Sequence, residues 1–414
     1  MTITQEVEET SMTTNKGNMN VSDYKTIRVV YVMNSTLAYS GATKSFLLML
    51  RGLMAHGVVP VVVVPDGGGV AVTLKDMGVR VVIQSFRLNA YPPLDMPKDW
   101  MLFLPRLIGR LSLNTLAVGK LKRIFKDDGV DIVHSNVSVI DIGMRLAKAL
   151  HVPHVYHIRE YGDKDFGYHQ FPSRRIYLRR LKSDSSWSVF ITKALKSYYE
   201  MDTNPRARVI YNPIYPESHQ AKNKEKKPYL LYAGRLDRGK GVFDLIKAYT
   251  IYASGASRPL HLHIAGDTDS EDKTIMMNMV RDAGMEDKVV FLGYRDDMTS
   301  LMQEATAIVI PSYHEAFGRC LAEAMFNGCL TIGRNTGGTR EQYDNGMLHV
   351  GREIGLRFSD VNQLAQRMKE VDGMSASQMA QITSDAHKAV TDLYSVENNV
   401  REVLKLYLSV DKYI

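Results

Sequence analysis

The sequence predicts an α/β protein built from two doubly wound, parallel-sheet domains. Two observations predict this. β-rich apolar runs alternate with helical patterns along almost the whole chain, and most of those runs are continuous rather than alternating, as parallel strands covered on both faces require. The length, 414 residues, exceeds that of one ordinary domain and suggests two.

Taken in order, the expected strands of the first half are Ile27 to Met33, Val58 to Val64, Val79 to Ile83, Ile132 to His134, Val155 to Ile158 and Val189 to Ile191. Those of the second half are Val209 to Tyr211, Tyr229 to Ala233, Leu260 to Ile264, Val289 to Leu292, Ala307 to Ile310 and Leu330 to Ile332. Helical patterns lie between them, for example over Ala42 to Met54, Val242 to Tyr252 and Leu321 to Phe326. The polar, charged stretch Tyr215 to Pro228 has no apolar period and reads as a linker. Val396 to Leu408 carries a helix pattern of apolar residues. The expected division is therefore a disordered tail over 1–24, an N-terminal domain over 25–205, a C-terminal domain over 206–392 and a terminal helix over 393–414. The tail is polar and lacks an apolar h-region, so it does not read as a signal peptide.

Composition narrows the function classes. Hydrophobic residues make up 45% and charged residues 23%, a globular balance. No uninterrupted apolar run approaches the ~18 residues of a membrane span. Cys320 and Cys329 form neither a disulfide framework nor a zinc pattern and read as core thiols of a reducing compartment. The net charge of +7 suits an anionic partner: a nucleotide, a phosphate or a membrane surface.

The most informative segment runs from His314 to Glu323, after an expected strand and Pro311. Gly318 would open a helix that Asn327 and Gly328 can end. Glu315 then sits on the loop at a strand's carboxyl end and Glu323 about one turn into the helix. Carboxylates so placed can face one cleft and accept hydrogen bonds from vicinal hydroxyls. Taken alone, such a pair reads equally as one surface glutamate and one helix-solubilising glutamate. A second segment, Tyr232 to Gly241, also links a strand to a helix. Gly234 and Gly241 let the backbone bend, while Arg235 and Lys240 bring cations to the corner, where a diphosphate leaving group could be neutralised. It is neither G-x-G-x-x-G nor a P-loop, which argues against nicotinamide and NTPase chemistry. Its bland reading is a solvated basic loop.

The ordered set G-R-L-x4-G, His-Ile-Ala-Gly266, Phe-Leu-Gly293, the E-x7-E block and Asn335-Thr-Gly-Gly-Thr-Arg-Glu341 resembles the family 4 retaining glycosyltransferases. The likeness covers roughly residues 25 to 410, most strongly the second half. It implies a GT-B fold, two Rossmann-like domains facing across a cleft, with the acceptor on the first and the nucleotide-sugar donor on the second. It implies that Arg235 and Lys240 bind the donor diphosphate. Glu315, with backbone N–H groups around Phe317 and Gly318, would hold the donor sugar, and Glu323 the ribose. Gly41 lies in Ser40-Gly41-Ala42, which is similar to the family's glycine-rich loop, with Ser40 in place of one glycine. His157 matches the family's histidine at the end of an N-domain strand, ahead of its neighbours His151 and His154.

The resemblance implies no cofactor and no catalytic metal. Asp163-Lys-Asp165 and Asp267-Thr-Asp269 look like metal-binding D-x-D motifs but fall in polar loops without that fold's context. Cations take over the metal's electrostatic role. The resemblance implies transfer of a hexosyl or N-acetylhexosaminyl group, UDP-linked by family frequency, to a glycan or lipid-linked acceptor in surface polysaccharide synthesis. The implied mechanism retains configuration by front-face attack within an ion pair, since no side-chain nucleophile stands out. No nucleic-acid partner is expected. The competing readings are an epimerase or phosphorylase on the same architecture and a non-catalytic nucleotide-sugar-binding subunit.

One pattern remains. Met101 to Lys126 holds Arg106, Arg110, Lys120, Lys122, Arg123 and Lys126 with no acid, beside Leu102, Phe103, Leu104, Leu107, Ile108 and Leu111. Ser173 to Lys182 adds Arg174, Arg175, Arg179, Arg180 and Lys182. Cations beside apolar residues suit a helix lying in an anionic headgroup layer, placing the protein in the cytoplasm at the inner face of the cell membrane. An ordinary amphipathic helix with solvated cations is the alternative.

Overall fold

The computed structural model describes residues 26–37, 40–91, 96–170, 173–183, 186–221, 224–267 and 271–410. The tail expected over 1–24 lies outside the described residues.

The first domain contains β1 (Ile27–Val32), β2 (Val58–Val64), β3 (Arg80–Ile83), β4 (Ala90–Tyr91), β5 (Ile132–Ser135), β6 (His154–Ile158), β7 (His169–Gln170), β8 (Ser186–Phe190) and β9 (Ala207–Val209). The second contains β10 (Lys227–Ala233), β11 (His261–Ala265), β12 (Val289–Gly293), β13 (Ala305–Ile310), β14 (Leu330–Arg334) and β15 (Leu356–Phe358). One sheet runs β3-β2-β1-β5-β6-β8-β9 and the other β12-β11-β10-β13-β14-β15. Every pairing within them is parallel; among the described residues only the small β4–β7 pair is antiparallel.

The continuous apolar runs have a direct cause. Val62 and Val64 enter one core with Tyr31, while the intervening Val63 enters another with Val30 and Val32. In the second domain Leu231, Ile308 and Ile310 face one core, and Leu230, Ala307 and Val309 face the other. Alternation persists, but both sides are covered, so both sets must be apolar.

Most strands shift by a residue or two from the expected bounds, and two of the shifts are instructive. β8 begins at Ser186, ahead of the apolar run starting at Val189, because buried His154 Nδ1 on β6 makes a 3.0 Å hydrogen bond with Ser186 Oγ. A polar start is tolerated where a partner across the strands satisfies it. β9 ends at Val209, so Ile210 and Tyr211 lead out of the sheet, and it pairs with β8 in the first sheet, which moves the expected start of the second domain at 206 past this strand. The expected reading had no counterpart for the short strands β4, β7 and β15.

The chain returns at its end. The helix Val396–Val410 places Val400, Val403, Leu404, Tyr407 and Val410 in the first domain's core with Tyr31, Phe46 and Leu50. Burying each large apolar side chain contributes about 1.5–3 kcal/mol. The approach is close: a Cβ on Gly52 would lie 2.4 Å from Val400 Cγ2. Strand order reverses between β1 and β5 in one sheet and between β10 and β13 in the other. In open α/β sheets, ligands bind at the carboxyl ends beside such switch points.

Candidate donor site

The second domain's switch point is built from two corners. After β10 the chain passes Gly234 and a short 3-10 turn, Arg238–Lys240, whose N-terminus Asp237 caps: its Oδ1 accepts the Lys240 N–H at 2.9 Å. Gly241 follows at φ 71°, and a Cβ there would lie 2.1 Å from the Pro311 carbonyl oxygen. Both conformation and space demand glycine, and the approach sets Lys240 against the loop after β13. Lys240 Nζ donates to Glu315 Oε1 at 2.7 Å, with side chains only 25% and 17% exposed. The pair borders a cavity of about 200 Å³, also lined by Tyr232, Gly234, Gly318 and Arg319.

The Glu315 loop is held from beneath by the helix Gly337–Val350. Gly338 N–H donates to the Glu315 carbonyl at 2.8 Å, and Gln342 Nε2 donates to the Phe317 and Gly318 carbonyls at 2.5 and 3.1 Å. The Phe317 ring is buried against Tyr211 and Tyr394. Its side chain is therefore core, and only its backbone is available to a ligand. Gly318 opens the helix Arg319–Phe326.

On that helix Arg319 and Glu323 stand one turn apart on one face. Arg319 Nη2 donates to Glu323 Oε1 at 2.9 Å, while Nη1 reaches into the first domain, to Ser45 Oγ at 2.5 Å and the Pro213 carbonyl at 2.9 Å. The loop after β1 abuts the same guanidinium: a Cβ on Gly41 would lie 3.0 Å from Arg319 Cδ. Ser40, standing where the resemblance has a second glycine, caps the helix Gly41–Met54 by accepting the Thr43 N–H at 3.1 Å. Thr192 Oγ1 of the first domain donates to the Ala316 carbonyl at 2.9 Å, beside Glu315.

The structure thus brings Lys240, Glu315, Gly234, Gly318, Glu323 and Gly41 to one cleft. Arg235 and His157 stand apart. Arg235 is 64% exposed, does not line the cavity, and pairs with Asp237 at 3.4 Å. His157, near the carboxyl end of β6, is fully buried. Its Nδ1 accepts from Arg159 Nη2 at 3.2 Å and lies 3.3 Å from His134 Nε2. A guanidinium can only donate, so the His157 ring proton sits on Nε2, which is buried with no hydrogen-bond partner among the described residues. Burial, with Arg159 and then His134 adding to it, holds His157 well below the usual histidine range, so it is neutral. His154 is held between Ser135 and Ser186 and driven down to about 3 by burial. His151 ends a helix in a left-handed conformation.

Three residues to which sequence reasoning gave no role are Arg319, which lines the cavity, Arg159, buried against Asn212 next to the Pro213 that Arg319 reaches, and Glu341, which bonds across to Lys193 and Ala194. Arg319 had a readable signal, its i,i+4 spacing to Glu323. Arg159 follows β6 directly, and its Nε and Nη1 donate to Asn136 Oδ1 at 3.1 Å and Asn212 Oδ1 at 2.5 Å. Of the D-x-D carboxylates, Asp163 accepts from the Tyr198 hydroxyl, Asp165 from the Tyr161 N–H at 2.7 Å, and Asp267 pairs with Lys273 at 2.9 Å. Asp269 lies outside the described residues.

Two parallel α/β domains, bridged across a cleft with a cation and paired carboxylates at a switch point, define a two-domain GT-B transferase. The comparisons with known proteins give the family. The description "Glycosyl transferase 4-like domain" matches residues 40–214 and "Glycosyl transferases group 1" matches residues 215–371; the chain belongs to this family and is a GT4-type glycosyltransferase. Among its relatives are mannosylfructose-phosphate synthase of Agrobacterium fabrum, 34% identical over 25% of this chain and 24% of that protein, and an uncharacterized glycosyltransferase of Methanocaldococcus jannaschii, 26% identical over 68% and 75%. The chain thus spans about a quarter of the first relative's length and three quarters of the second's. HepE of Anabaena, solved in complex with UDP, shares the fold at a TM-score of 0.72 and 18% identity, covering 92% of this chain and 100% of that one.

Proposed function

We propose that the chain moves a hexosyl or N-acetylhexosaminyl group from a UDP-linked sugar to a glycan or lipid-linked acceptor in surface polysaccharide synthesis, with retention of configuration and without a metal. The observation that carries the donor reading is the Lys240–Glu315 pair beside the cavity at the β10/β13 switch point.

The chemistry follows from charge. Cleaving a nucleotide sugar builds positive charge at the anomeric carbon and negative charge on the diphosphate. Lys240 neutralises the diphosphate as it leaves, and Arg235 joins it by exchanging Asp237 for phosphate. Glu315, released from Lys240 as the donor enters, accepts from sugar hydroxyls, while Glu323 accepts from the ribose. The acceptor attacks from the face the diphosphate leaves, and the closed cleft limits water. The UDP complex of HepE supports the choice of base. On the acceptor side, the exposed apolar and basic helix of the first domain favours a membrane-proximal substrate, met at an anionic inner membrane face.

Calorimetric titration of the purified chain with UDP and GDP, followed by incubation with UDP-glucose and UDP-N-acetylglucosamine, tests this reading. Binding of UDP in preference to GDP, with slow release of an α-configured sugar, is expected. Absence of UDP binding, or a β-configured product, overturns it.

A further inference from the structure

Arg159 is a buried cation without a carboxylate partner. It is 7% exposed, and its three hydrogen-bond partners are two amide oxygens, on Asn136 and Asn212, and the neutral ring of His157. No ion pair to Arg159 exists among the described residues. The neighbouring carboxylate, Glu160, is turned to the Ser138 N–H and hydroxyl, both at 3.1 Å. Desolvating a guanidinium without a counter-charge is costly, and proteins retain such groups where an anion arrives to complete them. Burial, only partly opposed by Glu160, pulls Arg159 down to about 9, with Arg319 adding to the depression.

The position of this cation matters. Arg159 donates to Asn212, and Arg319 donates to the carbonyl of the next residue, Pro213. Two guanidinium groups, one from each domain, therefore converge on consecutive residues. Arg319 also lines the cavity that holds Lys240 and Glu315. His157, which accepts from Arg159 through Nδ1, adds a buried Nε2–H with no partner among the described residues. The carboxylate that now offsets Arg319 is Glu323, the group assigned to the ribose. A ribose bound there would compete with Arg319 for the lone pairs of that carboxylate, while Arg159 has no carboxylate at all.

We propose that Arg159 is the first domain's half of an oxyanion site, completed by Arg319, that receives the donor's diphosphate when the two domains close on it. Resting on the donor reading above, the site makes diphosphate recognition a two-domain property. Lys240 holds the phosphates from the second sheet, and Arg159 meets them from the first. The same guanidinium chemistry would serve a phosphate carried by the acceptor, and the test separates the two.

The experiment is calorimetric titration of the full chain and of Arg159→Gln and Arg159→Lys with UDP, UMP, uridine and inorganic pyrophosphate, with thermal melts run in parallel. Loss of one charge-assisted contact is expected to weaken UDP about 10- to 100-fold in Arg159→Gln while leaving uridine unchanged. Arg159→Lys keeps the charge, guards against misfolding of the glutamine variant, and should fall between. Unchanged affinity for both UDP and pyrophosphate in a folded variant overturns the proposal and leaves Arg159 a structural brace. Unchanged UDP binding with weakened pyrophosphate binding assigns the site to an acceptor phosphate and overturns the donor assignment. Failure of the unsubstituted chain to bind UDP while it binds pyrophosphate through Arg159 defeats the donor reading but not the oxyanion site.

Discussion

Glu341, on a helix of the second domain, accepts the backbone N–H of Lys193 in the first domain at 2.7 Å through Oε1. Its other oxygen accepts the N–H of Ala194 at 2.8 Å, and the Tyr211 hydroxyl donates to Oε1 at 3.0 Å. One carboxylate thus caps the start of the helix Lys193–Tyr198 from across the cleft. Helix N-termini leave N–H groups without intrahelical partners, and an anion there is favourable. Glu341→Ala should lower stability by about 1–2 kcal/mol, the scale of a lost cap. Glu341→Gln, which keeps an acceptor, should cost less. Equal melting temperatures for all three proteins would show that water replaces the carboxylate.

Lys240→Ala and Glu315→Ala should each lower turnover ~10²–10³-fold, the usual loss on removing a group that stabilises developing charge. Both side chains meet at the loop surface, so their removal should leave circular dichroism unchanged. The two should differ in one respect. Lys240→Ala should weaken UDP itself, whereas Glu315→Ala should weaken the UDP-sugar relative to UDP. Near-original turnover in either folded variant rules out its role.

How much of this was legible in the sequence depends on the kind of interaction. The strands announced themselves because covering both sheet faces makes them continuously apolar, as in Val58–Val64. The Lys240–Glu315 corner was legible because glycines and charges cluster at strand ends. The seam was not. Glu341 acts through backbone N–H groups about 150 residues earlier, and Arg159 through two asparagines from different loops. Glu341 does end the Asn335–Glu341 motif, but nothing in that local spacing points to its distant partners. His157 was legible as a motif residue, but its burial and its contact with Arg159 were not.

Glu160 gives a prediction about pH. Burial pushes its carboxyl up to about 7 from 4.5, against the Ser138 hydrogen bonds. Between those values the folded state holds more protons than the unfolded one, so this group's contribution to stability falls as pH rises and is flat above. His134, His154 and His157 have lowered values and act oppositely, gaining stability as pH rises toward 6.5. Glu160→Gln removes only the first effect. Relative to the unsubstituted chain, its melting temperature should therefore rise between about pH 5 and about pH 8. A constant difference would mean that Glu160 titrates as an ordinary carboxyl.

Activity should survive EDTA. The motivation is the cation at the leaving-group corner, where Lys240 supplies the charge that a divalent ion supplies elsewhere. The D-x-D carboxylates at 163 and 165 are already engaged by Tyr198 and Tyr161. Loss of turnover on chelation, restored by added manganese or magnesium, would overturn this expectation.

The last prediction concerns the first domain's outer surface. The helix Phe103–Phe125 buries Asn114, Ala117, Leu121 and Phe125 and leaves Leu104, Ile108 and Leu111 exposed at helical spacing. Trp100 and Met101, the latter 79% exposed, extend the patch from the preceding turn. Lys120, Lys122 and Arg123 lie exposed toward the other end, without ion pairs among the described residues. The second basic segment contributes less than its charge suggests, because Arg174 is committed to the Tyr198 carbonyl at 2.7 Å and Lys182 to Glu200 at 3.1 Å. Among the described residues no helix is long and apolar enough to cross a membrane. An apolar strip leading into free cations suits a helix resting in the headgroup layer, with roughly 1 kcal/mol for each basic residue near an anionic surface. Three such residues amount to about 3 kcal/mol, or roughly 100-fold in partitioning. Joint reversal of Lys120, Lys122 and Arg123 to glutamate should therefore lower sedimentation with phosphatidylglycerol vesicles by at least that factor. Raising salt should mimic it, since screening shortens the reach of these charges to about a nanometre or less. Ile108→Asp should weaken binding at every salt concentration, because it removes the apolar contribution. If the unsubstituted chain stays in the supernatant at low salt, the helix is an ordinary solvated surface and the acceptor is met in solution.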